Sequence, residues 1–198
     1  MIHSGMRLFT LSAIFVLTAC ANTTQNVSKN YMLSNASGKG LAVGSLTSAG
    51  SFADYRIYYR NMANDKNGFF QLRVNDQSLN STLIASELPA GDYEIYSWRV
   101  YTFTANNFIT VFSPQTPFSL SFHVESGEAV YFGSCDFQIK VQFVPPWGDA
   151  MVACGDKSRR DLQHLADFYP GLAKAKVAIG GNLSYTSDGF RVVIPAIQ

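Results

Sequence analysis

The sequence predicts a mostly β chain, an antiparallel β-sandwich with one late α-helix. Three observations carry this. Several segments alternate apolar and polar residues with a period of two. Turn-forming residues punctuate those segments at short intervals. A single stretch near residue 160 has helical spacing, and nothing in the order of elements suggests βαβ units. Composition agrees, since 14% of residues are aromatic, only 15% are charged and fifteen are glycine. That balance suits pleated, half-buried surfaces joined by tight turns.

The folded part is expected to open at Leu41-Ala42-Val43-Gly44-Ser45-Leu46. In Ala53 to Arg60 the odd positions are apolar or aromatic and the even ones mostly charged. Phe70, Leu72 and Val74 form an inward face opposite Gln71 and Arg73. Pro89-Ala90-Gly91-Asp92 precedes a strand from Tyr93 to Tyr101. The most regular alternation sets Phe118, Leu120, Phe122 and Val124 against Ser119, Ser121, His123 and Glu125, as a half-buried strand requires. Ser126-Gly127 is then read as a hairpin turn into the next strand. There Phe137, Ile139, Val141 and Phe143 alternate with Asp136, Gln138, Lys140 and Gln142.

Pro145-Pro146-Trp147-Gly148-Asp149 breaks the chain, because neither proline donates to a ladder. A reversal there sets Cys135 nearly opposite Cys154, each sharing a face with apolar neighbours. One helix follows, with Asp156 or Ser158 as cap. Leu162, Leu165, Ala166 and Tyr169 repeat at helical spacing, and Pro170-Gly171 ends the run. The chain closes through Lys176 to Ile179, a Gly-Gly turn, and Arg191 to Ile194.

Leu88-Pro89-Ala90-Gly91-Asp92-Tyr93 resembles the Leu-Pro-x-Gly-x-Tyr hairpin of transthyretin-like and carboxypeptidase-regulatory-like sandwiches. Val124 to Phe132 is similar to the segment after that hairpin in uncharacterised bacterial lipoproteins. In some of those, a segment like Asp161-Leu162 through Phe168-Tyr169-Pro170 comes next. The resemblance spans the middle half of the chain. It implies an Ig-like or transthyretin-like sandwich and transfers no catalytic residue, since such modules are mostly non-enzymatic.

The N-terminus carries a different signal. Arg7 precedes an uncharged run, Leu8 to Ala19, that ends in Leu17-Thr18-Ala19-Cys20. As a helix the run covers about 18 Å, short of the roughly 30 Å core of a bilayer, so it suits a cleaved signal segment. The four residues resemble the lipobox of bacterial lipoprotein precursors. That likeness implies cleavage between Ala19 and Cys20, diacylglycerol on the Cys20 thiol and an acyl chain on its amine. These covalent lipids are the only non-protein group expected, with no cofactor and no metal. Ala21, where an Asp would favour inner-membrane retention, implies an outer-membrane address facing the periplasm if the cell is Gram-negative. Either Met1 or Met6 can serve as the start. Residues 1–19 are therefore read as signal peptide, 20–40 as a lipidated flexible tether rich in Asn, Thr and Ser, and 41–198 as one domain.

Charge and cysteines set further bounds. Lys and Arg number 15 against 14 acids, and loss of Arg7 with the signal leaves a neutral chain. That excludes the basic excess on which nucleic-acid binding depends. With Cys20 acylated, Cys135 and Cys154 have only each other, and an envelope compartment is oxidising. A reactive or metal-binding thiol would need a nearby His or a Cys-x-x-Cys spacing, and neither is present.

Catalytic residues are expected to be absent. There is no Gly-x-Ser-x-Gly elbow, Walker loop or His-Glu-x-x-His. His123 and Glu125 sit two apart on a solvent face with no third ligand in view. His164 lies at helical spacing from Asp161 and Asp167, ordinary surface pairing. A nucleophile pair of Cys154 and His164 would require a reduced thiol. Aromatic residues offer the alternative to core filling: Trp98, Tyr101, Phe108 and Trp147 form the candidate partner surface, near Phe103 and Phe112. The functional expectation is a lipid-anchored envelope protein acting as a non-catalytic binding or structural module. Its partners would be membrane lipid, the lipoprotein processing and sorting machinery, and an envelope protein. The alternatives are an accessory subunit of an outer-membrane or secretion assembly and, third, an envelope hydrolase.

Overall fold

The computed structural model describes residues 22–49, 53–73, 80–103, 108–117, 119–143, 146–181 and 183–195. Cys20 and the signal segment lie outside the described residues, as do Val74 and Phe118. The fold is mostly β, a sandwich of two facing layers with one late helix.

One layer contains β1 (Asn22–Thr23), β3 (Ala53–Asn61), β4 (Asn67–Arg73), β6 (Gly91–Phe103) and β8 (Leu120–Val124), in the order β1-β4-β3-β6 with β8 on the far side of β6. The other contains β5 (Ser81–Pro89), β2 (Lys39–Ser48), β9 (Ala129–Phe143) and β10 (Pro146–Gly155), in that order. Hydrogen bonding passes between them through β7 (Phe108–Pro114) and β12 (Tyr185–Pro195), and short β11 (Val177–Ile179) lies parallel to β9. Helix α1 (Ser158–Phe168) packs on the outside of the second layer.

The period-two reading gives the faces correctly. Tyr55, Ile57 and Tyr59 point between the layers, as do Phe70 and Leu72, and then Leu120, Phe122 and Val124. They meet Phe132, Phe137 and Trp98 in an aromatic core. Phe70 stacks on Phe132 at 4.7 Å, and Tyr93 on Phe122 at 5.4 Å. Burying each such side chain is worth about 1.5–3 kcal/mol, so this interior dominates the stability of the sandwich.

Strand partners differ from expectation at both turns read as hairpins. Ser126-Gly127 does not fold β8 back onto β9. β8 pairs with β6, with Val124 opposite Gly91, while β9 pairs with β2 and β10. The turn is an arch that carries the chain from one layer to the other. Gly127 has φ +72°, and a Cβ there would lie 1.5 Å from Asn35 Oδ1, so only glycine fits the corner.

Leu88 to Tyr93 makes the opposite crossing, since β5 pairs with β2 and β6 with β3 and β8. The Tyr93 hydroxyl donates to the Pro89 carbonyl at 2.9 Å. This is a tyrosine corner, the device that fixes layer-crossing turns in sandwiches. β2 and β9 run parallel, so the sheet is mixed, with a bulge at Val43/Gly44 taken up by Gly133 at φ +120°. A turn that crosses between layers satisfies the same alternation as a hairpin, which is why periodicity cannot separate them.

The chain does reverse before β10, but the break is shorter than expected, since Pro146, Trp147, Gly148 and Asp149 already pair with β9. Pro146 pairs with Phe143 and Cys154 with Cys135, whose sulfurs are 2.07 Å apart inside the sandwich core.

The segment expected to be a tether is instead part of the domain from Asn22 onward. Asn22 and Thr23 run parallel to β4 beside Gly68 and Phe69. Thr24 Oγ1 bonds the Tyr59 hydroxyl, and the chain then crosses to β5. There Asn26 donates to Leu83 O at 2.7 Å and accepts from Ala85 N at 2.9 Å, and Val27 N bonds Ala85 O. Val27, Tyr31 and Leu33 pack against the second layer's outer cluster. A polar composition does not prevent docking when its amides and a few apolar anchors find partners.

Candidate functional site

The best-formed surface array lies on the outer face of the β4-β3-β6 sheet. Alternation along β3 sends Asp54, Arg56, Tyr58 and Arg60 outward while Tyr55, Ile57 and Tyr59 go in. A bulge opposite Tyr58/Tyr59 then resets β6: Tyr59 pairs with Ile95 and Tyr58 with Ser97, leaving Tyr96 between them. Upstream of it Tyr93 and Ile95 face inward; downstream Trp98 and Val100 do. Arg99 and Tyr101 are thereby turned outward beside Tyr58.

These side chains interlock. The Arg56 guanidinium lies 4.7 Å from the Phe69 ring centre and 4.6 Å from that of Tyr101. Arg60 stands over Tyr96 and Arg99 over Tyr58, each at 5.4 Å. The Tyr58 and Tyr101 hydroxyls are 3.2 Å apart. Each such contact is worth about 0.5–1 kcal/mol at an exposed site, so the array holds its shape by many small terms.

Two carboxylates balance part of the charge from below. Asp54 accepts from Arg56 Nε at 3.0 Å and from Gln71 at 2.7 Å, and Glu94 from Arg60 Nε at 2.7 Å. Hydrogen bonds from Ser119 and Arg60 hold Glu94 below the usual carboxylate range. Asp54 and Glu94 side chains are 11% and 12% exposed, against 24% for Arg56 and 42% for Arg60. The arginines therefore stand above their recessed partners, and Arg99, bonded to the Tyr101 hydroxyl, is exposed. Burial opposes ionisation of Tyr101, but the Tyr58 hydroxyl and the Arg99 and Arg56 charges outweigh it and set its phenol below the usual value. Tyr58, buried and hydrogen-bonded to the Tyr101 hydroxyl, is pushed up to about 12. Chemically this is a cationic, ring-rich surface, able to take anionic groups or flat apolar ones.

Of the predicted partner surface, Tyr101 belongs here. Trp98 does not: it is fully buried against Phe137 because the bulge reverses the parity of β6. The side chains of Phe108 and Trp147 lie outside the described residues. Phe112 is a core residue. The sequence reading missed Arg56, Tyr58, Arg60, Tyr96 and Arg99. A tyrosine on the charged side of an otherwise alternating strand, Tyr58, was the available signal.

The histidines are placed differently. His123 Nδ1 lies 2.6 Å from Asp92 on the adjacent strand, and Nε2 lies 3.3 Å from Glu125. Asp92 is the neighbour that sequence did not supply. Its hydrogen bond, chiefly, holds the imidazole above its usual pKa. Among the described residues no group of three or more His, Cys, Asp or Glu is arranged to hold a metal ion.

His164 is exposed on α1, but Asp161 is not its surface partner. Asp161 is buried and accepts from Ser45 Oγ and the Tyr131 hydroxyl, both at 2.7 Å, and from Arg160 Nε at 2.8 Å. Ser134 Oγ, 2.8 Å from Ser45 Oγ, and Arg160 Nη2 complete the network. It pins the first turn of the helix to the sheet. Asp156 Oδ1 accepts from Ser158 N at 2.8 Å, satisfying one of the amides at the helix start.

No family model, curated protein or solved structure matches this chain. The reading of function therefore rests on the residues themselves.

Proposed function

We propose that this chain is a lipid-anchored cell-envelope protein whose sandwich acts as a non-catalytic binding or structural module. The observation that carries the reading is Leu17-Thr18-Ala19-Cys20 at the end of an uncharged run too short to span a bilayer. Attachment would be through diacylglycerol on Cys20 and an acyl chain on its amine, and two or more chains give stable anchoring where one does not. A Cys135–Cys154 bridge suits such an oxidising compartment. The Ig-like or transthyretin-like likeness of Leu88 to Tyr93 supports the same reading, because the segment forms a layer-crossing corner typical of sandwich modules.

The second reading, an accessory subunit of an envelope assembly, draws on the arginine–tyrosine face. Arginine and tyrosine concentrate binding energy at protein interfaces, and here half-buried Tyr96 and Tyr101 stand beside exposed Arg99.

The deciding experiment is Cys20→Ser in the full chain. The variant is expected to persist as an unprocessed precursor without lipid, whereas the parent shows a glyceride adduct by intact mass. Normal maturation of the variant would refute the reading.

A further inference from the structure

We infer that the arginine–tyrosine face of the β4-β3-β6 sheet lies against the anionic headgroups of the bilayer to which Cys20 is attached. This rests on the lipidation proposed above and adds the orientation of the domain.

Chain length sets how far the domain can stand from the membrane. Asn22 is already fixed beside Gly68, and Thr23 beside Phe69, at the margin of that sheet. Cys20 is two residues upstream, and an extended chain covers at most about 3.6 Å per residue, so its Cα lies within about 7 Å of that of Asn22. A headgroup zone is about 5–8 Å deep, taking half the difference between a 40–45 Å bilayer and its 30 Å core. With the glyceride in the membrane, the β1–β4 margin is thus held at headgroup level. A flexible twenty-residue tether would have left orientation free; the docked strap does not.

Charge and side-chain type select the face that leans on the surface. Phe69, next to Thr23, is the first ring of the array, stacked under Arg56. Beyond it come Tyr58, Tyr101 and Tyr96, with Arg60 above the recessed Glu94 and exposed Arg99 over the Tyr58 ring. Tyrosine is enriched where one end of a ring is wet and the other apolar, and arginine pairs with phosphate at the same depth. The opposite side of the sandwich is covered by α1, whose Arg159 is exposed. That residue is a built-in reference pointing away from the membrane.

The test uses the native lipidated chain reconstituted in phosphatidylethanolamine vesicles with or without phosphatidylglycerol. An arginine-selective dicarbonyl reagent is applied, and modification of Arg99, Arg60 and Arg159 is read by peptide mass spectrometry. Intact mass reports the lipid on Cys20. On anionic vesicles, Arg99 and Arg60 should react at least about fivefold more slowly, relative to Arg159, than in neutral detergent, the effect of one basic residue's attraction to such a surface. The protection should fall on vesicles lacking phosphatidylglycerol. Acylated protein whose Arg99 reacts as readily as Arg159 would overturn the orientation while leaving the anchor intact. Equal protection on neutral vesicles would overturn the headgroup recognition. Protection already present in detergent, from a copurifying glycan or protein, would overturn the membrane as occupant. A bare Cys20 would instead defeat the lipid reading itself.

Discussion

Tyr93 reaches back four residues to give its hydroxyl proton to the Pro89 carbonyl, at the corner where the chain passes from one layer to the other. Tyr93 is almost fully buried and its ring stacks on Phe122. Tyr93→Phe keeps the ring and removes the hydroxyl, leaving the Pro89 carbonyl without this donor and Asn61 without this partner. The expected cost is about 1–2 kcal/mol, read as a lower urea midpoint with an unchanged slope.

Asp161 receives hydroxyls from two strands and a guanidinium from its own helix. Asp161→Ala would remove the acceptor shared by the buried Ser45 and Tyr131 hydroxyls and the partner of Arg160 Nε. The expected loss is about 2–4 kcal/mol, measurable by chemical denaturation. Asp161→Asn, which keeps one acceptor oxygen, should cost less. Equal stability of Asp161→Ala and the parent would mean the network is not what holds α1.

His123 gives a pH dependence with a defined sign. Because Asp92 raises its pKa in the folded state, the pair's contribution is fully present below the unfolded value near 6.5 and is lost as pH rises through the folded one. An NMR titration of the ring should show a midpoint above that of an unstructured histidine. Asp92→Asn should bring it down. Being half exposed, the pair should shift overall stability only slightly.

Asn26 clamps the N-terminal strap to β5 through Leu83 O and Ala85 N. Asn26→Ala should speed amide hydrogen exchange at Val27 and Ala85 well before it changes exchange in β9. Proteolytic cutting between residues 24 and 38 should rise in parallel. Unchanged exchange at both amides would show that Asn26 does not hold the strap.

Native protein should resist thiol labelling at Cys135 and Cys154. The bridge joins residues 19 apart, and a loop of that size is worth about 3 kcal/mol in the chain-entropy model. The double Cys→Ala variant should lose stability on that order in thermal or denaturant unfolding.

Much of this arrangement is legible in the residues alone. Leu120, Phe122 and Val124 fall inward as their alternation requires, and the reversal between β9 and β10 sets Cys154 opposite Cys135. Both depend on local pattern. The hidden part depends on distant partners. The bulge at Tyr96 changes which β6 residues face out, and it arises from how β6 meets β3, so the sequence alone puts Trp98 on the wrong side. Asp161 reads as surface on a helical wheel because Ser45, Ser134 and Tyr131 approach it from other strands. Residues 22–38 read as a linker since their anchors, Asn26, Val27 and Tyr31, are few among polar neighbours. The cationic face is half visible: Tyr101 stands out, but its arginines are scattered over two strands that only pairing brings together.

The docked N-terminal strap also acts as a stopper. β4 and β5 end the two layers, and each would present unpaired amides and carbonyls without Asn22 to Val27 beside it. Uncovered strand edges recruit other chains. Cleavage or deletion of this short stretch would therefore do more than free a terminus. It would open two templates for intermolecular pairing, and self-association would be the first symptom.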